Sequence, residues 1–242
     1  MEQYVAIRKD KVDPKVMKEL NDLLVDTFKL EKGKTYFIKT GIFSNKFDFK
    51  TAKVTDIDKI MEQYLDIHYA GLMVGAYTTS EIVIREYIEP VEDVTTIYNG
   101  MPLRTEFRVF VDIQGEDSKV LGSANYWHPE EMHKISENYE QIKKLTLEQM
   151  NQQLDTIKEF EGNHPSLNRH RDLIHYLLVE KDMEESFNKH KSFVEQEVLT
   201  IAKNIKSDTL NGQWSLDVMK NGDDFYVIDA ARMHKSALTQ YI

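Results

Sequence analysis

The chain contains no cysteine. That excludes disulfides, thiol catalysis, zinc ribbons and iron–sulfur clusters, and it suits a reducing compartment. No run of side chains approaches the about 20 consecutive apolar residues that span a bilayer. Residues 1–30 carry acids and lysines throughout, with no apolar stretch of the kind that marks a secretory signal. The expectation is therefore a cytoplasmic protein without membrane contact. Positive charge is also short: 31 Lys and Arg stand against 41 Asp and Glu, a formal net charge of −10. A surface of that sign repels duplex phosphate and disfavours general DNA binding. Internal repeats and low-complexity segments are absent. So are a GxxxxGK(S/T) phosphate loop, a GxSxG elbow, a GxGxxG fingerprint, an HExxH pair and a KxDG-type nucleotidyl-transfer lysine. The histidines show no ligand spacing, so no zinc site is expected.

What is present is enough for a core. The chain has 242 residues, 41% of them hydrophobic and 10% aromatic, sufficient for one large domain or two lobes. Residues 14–30 place Val16, Leu20, Leu23, Leu24 and Phe28 at helical spacing behind Asp13-Pro14, an N-cap and N1 pair. A short strand, 36–40, follows Gly33. Asp56 to Gly71 reads as a capped amphipathic helix with Ile57, Ile60, Met61, Tyr64, Leu65 and His68 on one face. Residues 82–88 are β-branched and stop at Glu89-Pro90. Residues 106–113 alternate strictly and pair with 120–127 as a hairpin, and a second hairpin joins 214–219 to 225–231 through Asn221-Gly222. From Pro129 to about Ile205 the chain is charged and helical, with breaks expected near Gly162–Pro165 and around Lys181-Asp182. Strands that come in hairpins, with helices set apart from them, predict an α+β fold with antiparallel sheets.

Three constellations carry chemistry. Asp217 and Asp229 lie on the two strands of the last hairpin, where they face each other across the ladder. Like charges so opposed need a cation between them or a place in solvent. A hard ion such as Mg²⁺ would supply the first, with nucleotide phosphates completing its shell; exposed strand ends would supply the second. Lys39, at a strand end before the polar loop Gly41–Lys46, suits a polyphosphate, or else is a solvated edge lysine. Arg104 and Arg108 share a strand face with Glu106 between them. They form either a bidentate clamp for phosphate or carboxylate, or one side of a cross-strand ion-pair ladder.

In their order along the chain, the strings FIKT-GIFSNKF, VIREYIEP, TEFRVFV and WSLDVM…FYVIDAA resemble the ATP-grasp superfamily. The likeness is to divergent members such as the cell-division-cycle 123-like family and related bacterial and phage proteins. It covers about residues 35–128 and 210–236. The resemblance implies two α+β lobes with antiparallel sheets clasping ATP: an N-terminal helical segment 1–34, a small lobe 35–90, and a large lobe 91–242 carrying a helical insertion at about 129–205. It further implies that Lys39 contacts the α-phosphate and adenine side, and that Ser44, Asn45 and Lys46 close over the phosphates. Glu86, Tyr87 and Ile88 would form the hinge against adenine, with Glu89 toward the ribose. Arg108 would face the phosphates or an acyl-phosphate, and Asp217 and Asp229 would hold Mg²⁺. Arg108 and Lys46 are the catalytic expectations. The sequence departs from the family where a metal-ligating asparagine usually closes the last strand, since Asp229-Ala230-Ala231 stands there, and in the shortness of its N-terminal lobe.

The activity so implied is an ATP- and Mg²⁺-dependent ligase of the carboxylate–amine or carboxylate–thiol type, or a phosphotransferase using the same cleft. The acceptor, whether small molecule, peptide or protein, is unknown. The alternative is a non-catalytic nucleotide-binding assembly module with residues 129–205 as its partner surface. An α+β domain without a nucleotide, its charged strand residues serving as ladder pairs, is the remaining reading.

Overall fold

A computed structural model of the chain describes residues 12–76, 81–134, 138–159 and 165–242. These form two compact units, 1–89 with 98–101 and 90–97 with 102–242. The expected α+β class with antiparallel sheets is what the structure has. No helix among the described residues is long and apolar enough to cross a membrane.

In the first unit, helix α1 (Pro14–Phe28) starts as its sequence dictates: the Asp13 carboxylate accepts from the Lys15 N–H at 2.7 Å, and Pro14 occupies the first turn. Strand β1 (Tyr36–Thr40) is the centre of a three-stranded antiparallel sheet, between β2 (Lys53–Val54) and β3 (Ile82–Glu86). A one-turn helix α2 (Phe49–Ala52) precedes β2, and α3 (Ile60–Met73) follows it. Ile38, Ala52, Val54, Ile60 and Ile67 are completely buried, with Tyr36, Phe37 and Phe49 around them. Each fully buried isoleucine or valine side chain contributes about 1.5–3 kcal/mol.

Helix α1 corrects the expected apolar face. Of that set only Leu24 is buried; Val16, Leu20, Leu23 and Phe28 are exposed. The buried partner of Leu24 is Asn21, whose amide donates to the Ile57 carbonyl at 3.0 Å and whose Oδ1 accepts from the Met61 N–H at 3.1 Å. Asn21 thus satisfies two backbone groups at the helix-start region preceding and opening α3, a task for which an apolar side chain has no atoms. Asp56 likewise caps a 3₁₀ turn, Ile57–Lys59, before α3 rather than α3 itself. Residues 1–11 of the expected N-terminal segment lie outside the described residues.

The second unit opens with two-residue strands β4 (Thr96–Ile97) and β5 (Met101–Pro102, of which Pro102 belongs here). Its sheet has four antiparallel strands in the order β7-β6-β8-β9. These are β6 (Glu106–Ile113), β7 (Lys119–Asn125), β8 (Gly212–Asn221) and β9 (Asp224–Arg232). Three shorter helices, α4 (Pro129–His133), α5 (Tyr139–Ile142) and α6 (Leu147–Lys158), lead to α7 (Pro165–Asn204).

Helix α7 runs for 40 residues. The break expected at Lys181-Asp182 does not occur: both residues are exposed, and the buried stripe continues past them through Met183, Phe187, Val194, Val198 and Ala202. A charged pair on the solvent face does not stop a helix, and no glycine or proline interrupts the stretch after Pro165. The other expected break, at Gly162–His164, lies outside the described residues. Although inserted in sequence between β7 and β8, α7 is the layer that covers the sheet. Phe107, Val109, Val111, Ile113, Leu216 and Val218 pack against Phe187, Val194, Val198 and Ala202. The period-2 alternation of β6 and β8 then turns their remaining side chains to the opposite face.

Candidate functional site

That opposite face carries a charged row. Strand register places Arg108 against Asp217 on β8, and Asp217 against Asp229 on β9. The two aspartates stand side by side because a bulge between Asp217 and Val218 shifts the register by one residue, where unbroken alternation would set Asp217 against Ile228, and a third strand adds the arginine. The Arg108 guanidinium donates from Nε to Asp217 Oδ1 and from Nη2 to Oδ2, both at 2.7 Å. This is a fork-to-fork pair, the strongest geometry available to these groups. It is also a dry one: the side chains are 14% and 10% exposed. Burial by itself would lower the Arg108 pKa, but the hydrogen bonds and charge of Asp217, with smaller pulls from Tyr126 and Asp229, outweigh it and hold it above its ordinary value.

Asp229 differs. It is exposed, and its Oδ1 accepts from the N–H of Ala230 at 3.0 Å. A β-bulge lies immediately beside the row, between Asp217 and Val218, where β9 pairing steps from Asp229 to Val227. Bulges re-aim the side chains next to them.

Two neighbours of the row escape sequence reasoning. The Arg108 guanidinium lies 4.9 Å from the Tyr126 ring centroid, and Nη1 donates to the Ala237 carbonyl at 3.4 Å. Tyr126 stands two residues beyond Ala124, the β7 partner of Arg108, and a bulge between Phe110 and Val111 sets that register, which strict alternation does not show. Ala237 belongs to the C-terminal segment, which no motif marks. This segment crosses the same face, with Leu238 buried against Phe110 and Ala124, and the Ser236 and Ser215 hydroxyls hydrogen-bond. Tyr241 stacks on His128 at 3.6 Å and donates its hydroxyl to Glu131 at 2.8 Å. Lys134, Tyr241 and Gln240 together hold the Glu131 carboxyl below its ordinary value.

Arg104 does not extend the row. It precedes β6, is buried, and has Nη1 at 3.0 Å from Met219 Sδ. Of the two readings of Arg104 and Arg108, Arg108 follows the cross-strand ion pair, with Asp217, and Arg104 takes no part in it. That pair is buried, whereas a ladder pair is ordinarily a surface feature.

The remaining predicted residues lie in the first unit. Lys39 sits on β1 opposite Val83 and is half-buried. The loop after it is folded onto the strand end: Thr40 and Phe43 exchange backbone and hydroxyl bonds of 2.9–3.2 Å, and Phe43 packs on the core. Ser44 is half-buried. Asn45 takes a left-handed conformation, φ 46°, and its amide donates to Thr51 Oγ1 at 2.8 Å. Lys46 opens a 3₁₀ turn with its ammonium 5.5 Å from the Phe47 ring centroid. Glu86 ends β3, 3.7 Å from Lys34. The Tyr87 N–H donates to the Thr35 carbonyl at 2.9 Å, and Ile88 is half-buried. Lys53 joins the expected hinge residue Tyr87 to Glu89, the residue expected toward the ribose, lying 4.3 Å from the Tyr87 ring centroid and 3.0 Å from the Glu89 carboxylate.

The donor set of the row suits a hard cation in kind, being carboxylate oxygens on adjacent strands in register. It is short in number: among the described residues no group of three or more His, Cys, Asp and Glu could hold a metal ion. No protein-family model matches the chain, and no curated protein or solved structure matches it.

Proposed function

We propose that the chain is an ATP- and Mg²⁺-dependent enzyme, a ligase of the carboxylate–amine or carboxylate–thiol type or a related phosphotransferase. The observation that carries this reading is the single row Arg108, Asp217, Asp229 on the sheet face away from α7. Mg²⁺ is commonly held by one or two carboxylates with phosphates and water completing its shell, so Asp217 and Asp229 meet its usual protein share. When bound it would neutralise phosphate charge. Arg108, held cationic by its surroundings, would orient a phosphate or acyl-phosphate oxygen beside it. The exposed carboxylate of Asp229 is the open end of the row, and the Arg108–Asp217 pair is its fixed end.

A second reading is favoured by one specific observation: both oxygens of Asp217 already accept from Arg108. A metal there must compete with a buried bidentate pair, and a nucleotide-binding assembly module needs no such exchange.

Thermal unfolding with ATP, in Mg²⁺ and in EDTA, tests both. A ligand at 100 times its dissociation constant adds about 2.7 kcal/mol of stability, a shift of several degrees. The enzyme reading expects a rise that needs Mg²⁺, is lost in Asp229→Asn, and accompanies slow phosphate release. The module reading expects a rise with no turnover. No shift at millimolar ATP overturns both.

A further inference from the structure

The sheet face that carries the Arg108 row is crossed by residues 233–242, from strand to strand. Ser236 bonds Ser215 of β8 through their hydroxyls. Ala237 offers its carbonyl to Arg108 of β6 at 3.4 Å. Leu238 is buried against Phe110 of β6 and Ala124 of β7. At the far edge Ile242 lies over Gly122 of β7, so close that a Cβ on that glycine would stand 2.8 Å from the Ile242 Cβ. Ser215 pairs with Phe110 just as Asp217 pairs with Arg108, so the segment runs directly beside the fork-to-fork pair.

The segment is held differently along its length. Leu238 is an anchor under strain: its φ is 74°, a left-handed value that a bulky side chain avoids, and its side chain is nonetheless buried. Strained backbone persists only where surrounding contacts enforce it, and it collects at clamps and switches. The enforcing contacts here lie at the edge of the sheet. Tyr241 stacks on His128, the residue that caps α4, and Tyr241 and Gln240 both donate to Glu131 Oε1, at 2.8 and 3.1 Å. None of these four side chains is fully buried, so water replaces their contacts readily when the segment lifts.

Ala237 occupies the donor that Asp217 leaves over. Asp217 takes Nε and Nη2 of Arg108, the Tyr126 ring packs against the guanidinium, and Nη1 donates to the Ala237 carbonyl. A phosphate oxygen approaching Nη1 therefore meets a neutral carbonyl in its place. An anionic acceptor bonds a guanidinium more strongly than a neutral one, so the exchange favours the phosphate.

We propose that residues 233–242 are an autoinhibitory strap, latched by Tyr241 on His128 and Glu131, that covers Arg108 and lifts when the phosphates of a nucleotide bind there. The strap rests on the nucleotide reading for the group that displaces it.

Hydrogen–deuterium exchange and calorimetric titration of the full chain with ATP and Mg²⁺ test it together. Tyr241→Ala removes the latch, and Tyr241→Phe keeps the stack while losing the hydroxyl bond. Without nucleotide, Tyr241→Ala should speed exchange of the 233–242 amides at least tenfold, with β6 and β8 exchanging as in the parent. Apparent affinity scales with the fraction of chains already open, so Tyr241→Ala should bind ATP at least fivefold more tightly than the parent, with Tyr241→Phe between them. In the parent, ATP should speed exchange of the same amides. The strap is overturned and the nucleotide reading kept if ATP binds the parent and Tyr241→Ala equally and leaves exchange in 233–242 unchanged. Unchanged exchange in unliganded Tyr241→Ala overturns the latch and the strap with it. If ATP at millimolar concentration binds neither chain, the nucleotide reading falls and takes the strap with it.

Discussion

Asp217 and Asp229 are direct partners across the β8–β9 ladder, yet one carboxylate is nearly dry and the other stands in water. The difference comes from β6. Arg108 covers both oxygens of Asp217 and leaves Asp229 as the exposed end of the row.

This asymmetry predicts unequal mutational costs. Arg108→Leu strands the Asp217 carboxylate without its cation and should cost about 3–5 kcal/mol in urea unfolding. Arg108→Leu with Asp217→Leu should recover much of that loss, because the apolar pair leaves no buried charge. Asp229→Asn should stay within about 0.5 kcal/mol. Equal costs for Arg108→Leu and Asp229→Asn would show that the clamp does not hold the face together.

A second prediction concerns the turn that closes the hairpin. Asn221 pairs with Asp224, so Gly222 and Asp223 form the turn, and of these two only Gly222 has positive φ, 63°. A Cβ there would lie 2.7 Å from Val91 Cγ2. Gly222→Ala should destabilise by about 1–3 kcal/mol through backbone strain and this clash. Val91→Ala in the same chain should return only the clash portion, a result that a double-mutant cycle in denaturant reads directly.

A third concerns pH. Desolvation lowers the His170 pKa from its ordinary 6.5, while its Nε2 lies 2.8 Å from Gln153 Oε1 and joins α7 to α6. A base with a lowered folded pKa binds fewer protons folded than unfolded. Its stability contribution is therefore complete above pH 6.5 and is lost as pH falls through the lowered value. Denaturant melts at pH 7.5 and at pH 5 should show this loss in the parent. In His170→Gln the loss should be smaller, and an unchanged slope would remove His170 as its source.

Much of the second unit was legible in the sequence. The alternation in 106–113, 214–219 and 225–231 assigns the sheet strands, and Asn221-Gly222 marks the last hairpin. Register counted back from the short turn sets Asp217 against Ile228, and only the bulge between Asp217 and Val218 brings it opposite Asp229, so that pairing was not legible. The clamp was not legible either, because Arg108 and Asp217 are 109 positions apart and nothing local pairs β6 with β8. The apolar stripe of α1 misled for a similar reason. Periodicity identifies a helix and its faces, but which face is covered depends on where α3 sits, and Asn21 suits its place because it bonds backbone groups of the Ile57–Met61 segment that lie beside it.

The sequence by itself determined the α+β class, the strands that alternate, the capped start of α1 and the candidate charged residues. These depend on side-chain period and turn chemistry, which act over a few residues. Tertiary structure decided which aspartate is buried, which arginine meets it, and that the Ala237 carbonyl borders the same guanidinium. Those outcomes depend on pairings between distant strands and on water excluded by α7 and the C-terminal segment, and neither is encoded within any single stretch of the chain.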